Sequence, residues 1–171
     1  TGWDAARQAW NLTADQRPLA VAQVDSAEDV VAVVEFARVH GLRVAPQGTG
    51  HGASALAPLT NTILVKTERM RRVEIDSGAG RARIDAGAIW ADVVEPAAER
   101  GFVVLHGSSP GVGVVGYSLG GGMGWLARSH GLSANTVSAV EIVTADGRLV
   151  RADRDREPDL FWAVRGGGGN F

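Results

Sequence analysis

The sequence predicts an α+β fold, and three observations carry that prediction. Up to about residue 66, short apolar runs flank one strongly periodic helical stretch, the pattern of a β-α-β unit. From about residue 67 onward the pattern changes to hairpins and short helices. Two glycine-rich stretches, one running from Pro46 to Gly52 and the other from Gly107 to Gly122, follow directly on apolar runs. They therefore read as loops fixed to structured elements and not as linkers. The chain divides into a first lobe of about 1–66 and a second of about 67–171, with no internal repeat.

Residues from about Trp3 to Trp10 have amphipathic spacing and predict a short helix. Pro18 to Val24 reads as a short buried strand. Ser26 and Asp29 have the three-residue spacing of a capping box. Val30, Val33, Val34 and Ala37 supply the apolar stripe of the helix that follows. Gly41 ends it, and His40 sits at its carboxyl end, where a solvated histidine complements the dipole. Leu42–Ala45 is a strand that feeds the first glycine loop. Carboxyl ends of strands are where open α/β sheets bind ligands.

Ile63–Lys66 predicts another strand. Val73–Asp76 and Arg81–Asp85 alternate around Ser77–Gly80 as a hairpin. Trp90 to Arg100 predicts a helix in which Pro96 is an awkward interior residue. Gly101 terminates it, and Phe102–Leu105 leads into the second glycine loop. Gly116 to Gly124 predicts a short helix. Val137–Thr144 and Leu149–Arg151 flank a tight turn at Ala145–Arg148. Pro158 suits the first turn of a last helix over Asp159–Val164. Trp90, Trp125 and Trp162 read as core residues.

The bulk numbers exclude several classes. Net charge is −2 and the isoelectric point is near 6.1, so there is no basic footprint for nucleic acid or an anionic membrane. Cysteine is absent, which removes disulfides, thiolate metal sites and a cysteine nucleophile. No apolar run has the ~20 residues of a membrane span. No metal site is expected. The 23 glycines are roughly twice average usage, and they cluster. The chain stops after a helix and a glycine run, which reads as a connection into a further strand of a longer protein.

Glycine runs let backbone N–H groups approach an anionic ligand closely. The first loop lacks the Gly-Lys-Ser/Thr ending of a phosphate-binding Walker loop and the spacing of a dinucleotide fingerprint. Read alone, it is either a structural turn or a ligand loop. In the second, Gly120, Gly121 and Gly122 in a helical turn would cost roughly 1 kcal/mol each relative to alanine, a cost that close backbone approach would explain.

Pro46-Gln47-Gly48-Thr49-Gly50-His51 resembles the first flavin loop of FAD-linked oxidases of the vanillyl-alcohol oxidase (PCMH-type) superfamily. Ser109 to Gly122 is similar to the second loop of the berberine-bridge-enzyme-like branch, whose pattern is Cys-Pro-Thr-Val-Gly-x-Gly-Gly-His followed by glycines. Gly131–Asn135, Val143–Gly147 and Asp159–Gly168 match in order, so the resemblance covers essentially the whole chain. It implies a two-lobed FAD-binding domain with FAD between the lobes, and a substrate domain beyond residue 171.

The resemblance also assigns residues. His51 occupies the position bonded covalently to the flavin. Pro46, Gln47, Gly48, Thr49, Gly50 and Gly52 would face the cofactor from one side. Ser109, Val112, Gly113, Gly116, Tyr117, Gly120 and Gly121 would face it from the other, and Val143 would meet the adenine through its backbone. His106 and His130 either line the site or, the favoured reading, take structural roles, and Arg128 is either a phosphate partner or a surface charge. The departures matter too. Ser109 replaces the cysteine that gives some relatives a second covalent link, so only single attachment is expected. Tyr117 replaces the motif's final histidine, and Val115 replaces a glycine. Val112 stands where the family gates oxygen, and a small residue there favours an oxidase.

The activity implied is hydride transfer from a substrate C–H bond to FAD and then to O2. The substrate is a small molecule: an alcohol, sugar, amine or secondary metabolite. The catalytic base is expected in the missing domain, and the fragment alone is expected to be inactive. Two rivals are a non-covalent FAD dehydrogenase or reductase of the same superfamily, and a non-enzymatic phosphate-ligand module.

Overall fold

The computed structural model describes residues 2–56 and 58–170. Two compact units emerge. The first runs to Met70 and takes in Val143–Leu149, and the second comprises Arg71–Ile142 and the residues from Val150 onward.

In the first unit, helix α1 (Gly2–Ala6) is shorter than the amphipathic pattern predicts. The helical pattern fades at Gln8, whose N–H still reaches Ala5 O at 3.3 Å. Further on, the Trp10 N–H donates to Thr49 O at 2.9 Å, so a tertiary bond takes over from the helix. Strands β1 (Ala20–Gln23), β2 (Arg43–Gln47) and β3 (Thr62–Lys66) form a parallel sheet in the order β1-β3-β2. The β-α-β unit expected from sequence is present as β1, α2 (Ala27–Val39) and β2. β3 inserts between β1 and β2, and it is buried along its whole length. That burial matches its unbroken apolar stretch Ile63-Leu64-Val65.

Helix α2 (Ala27–Val39) packs on this sheet, and Val24, Ala37, Ile63 and Val65 form the unit's core. Its capping box is complete. The Asp29 N–H donates to Ser26 Oγ at 3.1 Å, and the Ser26 N–H donates to Asp29 Oδ2 at 3.1 Å. These two bonds satisfy donors that a helix start leaves orphaned. Ser26→Ala is expected to lower unfolding stability by about 1 kcal/mol, read from denaturant midpoints at unchanged slope. Gly41 follows with φ +64°, and His40 is the exposed cap residue, its ring against Phe36.

The second unit opens with the antiparallel hairpin β4 (Val73–Asp76) and β5 (Arg81–Ile84). Asp76 Oδ1 accepts the Ala79 N–H at 3.0 Å across the turn. Helix α3 (Ala91–Ala98) contains Pro96, and Gly101 follows it at φ +78°. Pro96 has no N–H to donate to the carbonyl one turn earlier, and the helix runs only two residues beyond it. Helix α4 (Val114–Leu119) starts and ends earlier than the sequence predicts. Two four-residue helices, α5 (Ala127–His130) and α6 (Ser133–Thr136), were not visible in the apolar periodicity. Strands β6 (Ala139–Val143) and β7 (Leu149–Asp153) form the late hairpin, and α7 (Pro158–Val164) begins at its proline as predicted.

Trp90 is buried with Val93 and Val114. Trp125 and Trp162 are not core residues, being 79% and 76% exposed. On α7 the buried pair is Phe161 and Val164, spaced i, i+3, which turns Trp162 to the other face. No helix among the described residues is long and apolar enough to cross a membrane.

Candidate flavin-binding loops

The first loop leaves the sheet at Gln47, the last residue of β2, which pairs with Lys66 of β3. The N-terminal segment holds it in place. Lys66 is buried, and its Nζ donates to Gln8 O at 2.9 Å. Ala9 is also buried. Gly50 sits at φ +81°, and a Cβ there would lie 2.8 Å from Ala9 Cβ. Gly50 is therefore required by the protein's own packing. Gly52, by contrast, faces open space.

His51 lies in the turn between β2 and a short 3-10 helix at Ala53–Ala55. Its Nδ1 is 2.7 Å from Thr49 Oγ1. The indole of Trp10 stacks on its ring with centroids 4.0 Å apart and planes at 14°. Nε2 is buried with no hydrogen-bond partner among the described residues. Burial lowers the ring's pKa from the ordinary 6.5, which favours neutral imidazole at pH 7. A neutral imidazole keeps one nitrogen lone pair. The Gln47 amide is likewise buried, and neither of its polar atoms has a hydrogen-bond partner among the described residues.

Val143–Leu149 belongs to the same unit. Val143 is half-buried at the end of β6. The turn beyond it is closed by the Thr144 N–H on Arg148 O at 2.9 Å. Thr144 and Arg148 together hold the Asp146 carboxyl down at about 2.

The second loop is anchored to residues 88–91. The Trp90 N–H donates to Val112 O, the Ala91 N–H to Pro110 O and the Val114 N–H to Ala88 O, all within 3.0 Å. Tyr117 stands at the centre of the packing around this loop. Trp90 meets it edge-on at 5.4 Å. A Cβ on Gly122 would lie 2.8 Å from Tyr117 Cε1 and 2.5 Å from Ser133 Cβ. A Cβ on Gly124 would lie 2.0 Å from His106 O and 3.0 Å from Tyr117 Oη. The hydroxyl of Tyr117 is buried with no hydrogen-bond partner among the described residues, and burial raises its pKa.

A family model for the FAD binding domain matches residues 18–153. This chain belongs to the FAD binding domain family. It is 36% identical over 171 residues to (R)-6-hydroxynicotine oxidase of Paenarthrobacter nicotinovorans, covering 100% of this chain and 37% of the relative. It is 35% identical over 173 residues to glucooligosaccharide oxidase of Sarocladium strictum, covering 99% of this chain and 34% of the relative. Among solved structures, 6-hydroxy-D-nicotine oxidase from Arthrobacter nicotinovorans superposes with TM-score 0.89 at 34% identity, over 100% of this chain and 38% of that one. Glucooligosaccharide oxidase from Acremonium strictum, described with a 6-S-cysteinyl, 8α-N1-histidyl FAD, superposes with TM-score 0.86 at 34% identity, over 98% and 36%. The chain thus spans about a third of the length of the relatives it matches.

In this FAD-binding domain the expected α+β fold is present. The sequence-predicted residues Pro46, Gln47, Gly48, Thr49, Gly50, His51 and Gly52, together with Val143, fall in the first unit. Ser109, Val112, Gly113, Gly116, Tyr117, Gly120 and Gly121 fall in the second. Ser109 is exposed, and Val112 packs against the Trp90 cluster. Gly120, Gly121 and Gly122 lie beyond α4 instead of inside a helical turn. Gly121 and Gly122 adopt φ +105° and +72°, so glycine suits these positions for backbone reasons. The helical-glycine cost inferred from sequence does not apply to them.

Arg128 and His130 are exposed on α5. His106 is half-buried, with Nδ1 2.6 Å from Gly107 O. Sequence reasoning missed Trp10 as a neighbour of His51, because the two lie 41 residues apart with no shared periodicity. It also missed Gly122 and Gly124 as walls around Tyr117, along with Gly107, where a Cβ would lie 3.1 Å from Tyr117 Cε2. The only signal for that role was the density of glycine.

Proposed function

We propose that the protein containing this chain is an FAD-dependent oxidase whose flavin is joined covalently to His51, with a single point of attachment. The carrying observation is the setting of that histidine: a ring held by Thr49 and Trp10, with one buried nitrogen that has no partner among the described residues, in a domain of the FAD-binding family. The flavin supplies a two-electron acceptor for hydride from a substrate C–H bond, with O2 as final acceptor.

The chain's own residues bind and position. The Gln47 amide and Tyr117 hydroxyl are buried polar groups with no partners among the described residues, and groups of this kind are normally satisfied. They are the side chains assigned to the cofactor. Gly52 and Gly116 leave open space where a Cβ would stand and are assigned as backbone contacts. The substrate is a small molecule, and names among the relatives span a hydroxynicotine oxidase and oligosaccharide oxidases. The catalytic base is assigned to the portion of the protein beyond this chain.

Acid precipitation of the full-length protein tests the reading. Yellow colour in the pellet supports covalent flavin, and yellow colour in the supernatant contradicts it. A second expected outcome separates packing glycines from ligand glycines. Gly116→Ala sits inside α4 and meets no atom, so it is expected to stabilise the apoprotein by about 1 kcal/mol while weakening FAD binding. Thermal melts with and without FAD read both effects.

A further inference from the structure

We propose that the groove beside α7 is the docking site for a later segment of the same polypeptide, one that brings an apolar side chain to Trp162 and a carboxylate to Arg165. The groove lies wholly within the second unit, and its lining includes Gly121, Leu132, Ala134, Trp162, Arg165 and Gly166.

Two features mark this surface as unfinished. Trp162 is exposed on α7 while Phe161 and Val164 turn inward, and Leu132 on the same groove is exposed as well. Large apolar side chains left in water at a concave surface mark an interaction site. The second feature is Arg165. Its guanidinium carbon stands 4.3 Å from the centroid of the Phe161 ring, and its Nε is buried with no hydrogen-bond partner among the described residues. Buried N–H groups are normally satisfied. A guanidinium stays charged and presents its donors in a planar fork that matches a carboxylate. Trp and Arg are also the residue types that most often anchor interfaces.

The length of the relatives argues for the occupant. The chain covers 37% of one relative and 34% of another, so most of each relative lies outside the matched part. A segment tethered to its own docking site has an effective concentration on the order of millimolar, which favours it over a second copy or a separate partner.

The groove is tied to the second glycine loop. The Gly166 N–H donates to Leu119 O at 2.8 Å, and a Cβ on Gly168 would lie 2.8 Å from Leu119 C. A Cβ on Gly121 would lie 4.0 Å from Leu132 Cδ1. A segment seated in the groove therefore steadies the end of α4 and the glycines that follow it.

The test places the photo-cross-linker p-benzoylphenylalanine at position 162 of the full-length protein. Irradiation is expected to join that position to a peptide of the same polypeptide from beyond residue 171, and the peptide is expected to contain Asp or Glu. A covalent dimer, a link back into residues 1–171, or no cross-link overturns the inference. A linked peptide without Asp or Glu overturns the pairing with Arg165. Hydroxyl-radical labelling of the unsubstituted full-length protein does not depend on that variant. Trp162 is expected to lose most of the reactivity it has in urea. Labelling as fast in the folded protein as in urea overturns the inference, and so does protection that disappears on dilution, which assigns the groove to a second copy.

Discussion

His51→Ala in the full-length protein is expected to abolish acid-stable flavin while leaving the fold intact. The imidazole is the group assigned to the bond, and the loop backbone is held by other contacts. Gln47 O still accepts the Thr67 N–H at 3.0 Å, and Thr49 O still accepts the Trp10 N–H. Absorbance of the acid pellet and a thermal melt separate the two effects. Flavin retained in the variant's pellet would move the attachment to another residue.

The same histidine sets a pH dependence. Attachment requires a ring nitrogen with a lone pair, and protonation removes it. Burial lowers the His51 pKa from the ordinary 6.5, so the group loses its proton at lower pH than a free histidine. The incorporation rate is therefore expected to hold level at pH 6.5 and above and to fall only as pH drops below that value. A fall beginning well above pH 6.5 would mean that a different group limits the reaction.

Gly124→Ala is expected to be the most damaging single-methyl substitution in the second unit. Its Cβ would sit 2.0 Å from the carbonyl oxygen of His106 and 3.0 Å from Tyr117 Oη. The first contact is with backbone, so no side-chain rotation relieves it. The expected cost is about 3 kcal/mol, at the upper end for overpacking, or a midpoint lowered by roughly 6–12 °C. Gly111→Ala is the matched control, since a Cβ there meets nothing within 4 Å. It is expected to be neutral or slightly stabilising, by up to about 1 kcal/mol. Equal effects from the two substitutions would contradict the packing described around Tyr117.

Local rules carried much of the fold. Ser26 and Asp29 announce their helix because the capping box is a three-residue device read directly from sequence. Pro158 and Gly41 work the same way, one at a helix start and one past a helix end. What escaped was set by partners distant in the chain. The place of β3 between β1 and β2 is a tertiary choice that the strand sequences do not encode separately. The early end of α1 follows from the bond between Trp10 and Thr49.

The glycines show the limit within one motif. Their abundance marked the loops, but abundance alone does not distinguish Gly50, closed against Ala9, from Gly52, which faces open space. His51 is singled out as the candidate by its motif. The difference between its two nitrogens was not legible there, because Thr49 and Trp10 act on it through geometry.

The most direct measurement is the mass of the flavin-bearing peptide from acid-precipitated full-length protein. Covalent attachment predicts a single peptide that contains His51 and is heavier by the mass of the flavin adduct. A colourless pellet with all flavin in the supernatant, or an adduct on a peptide lacking His51, would contradict it.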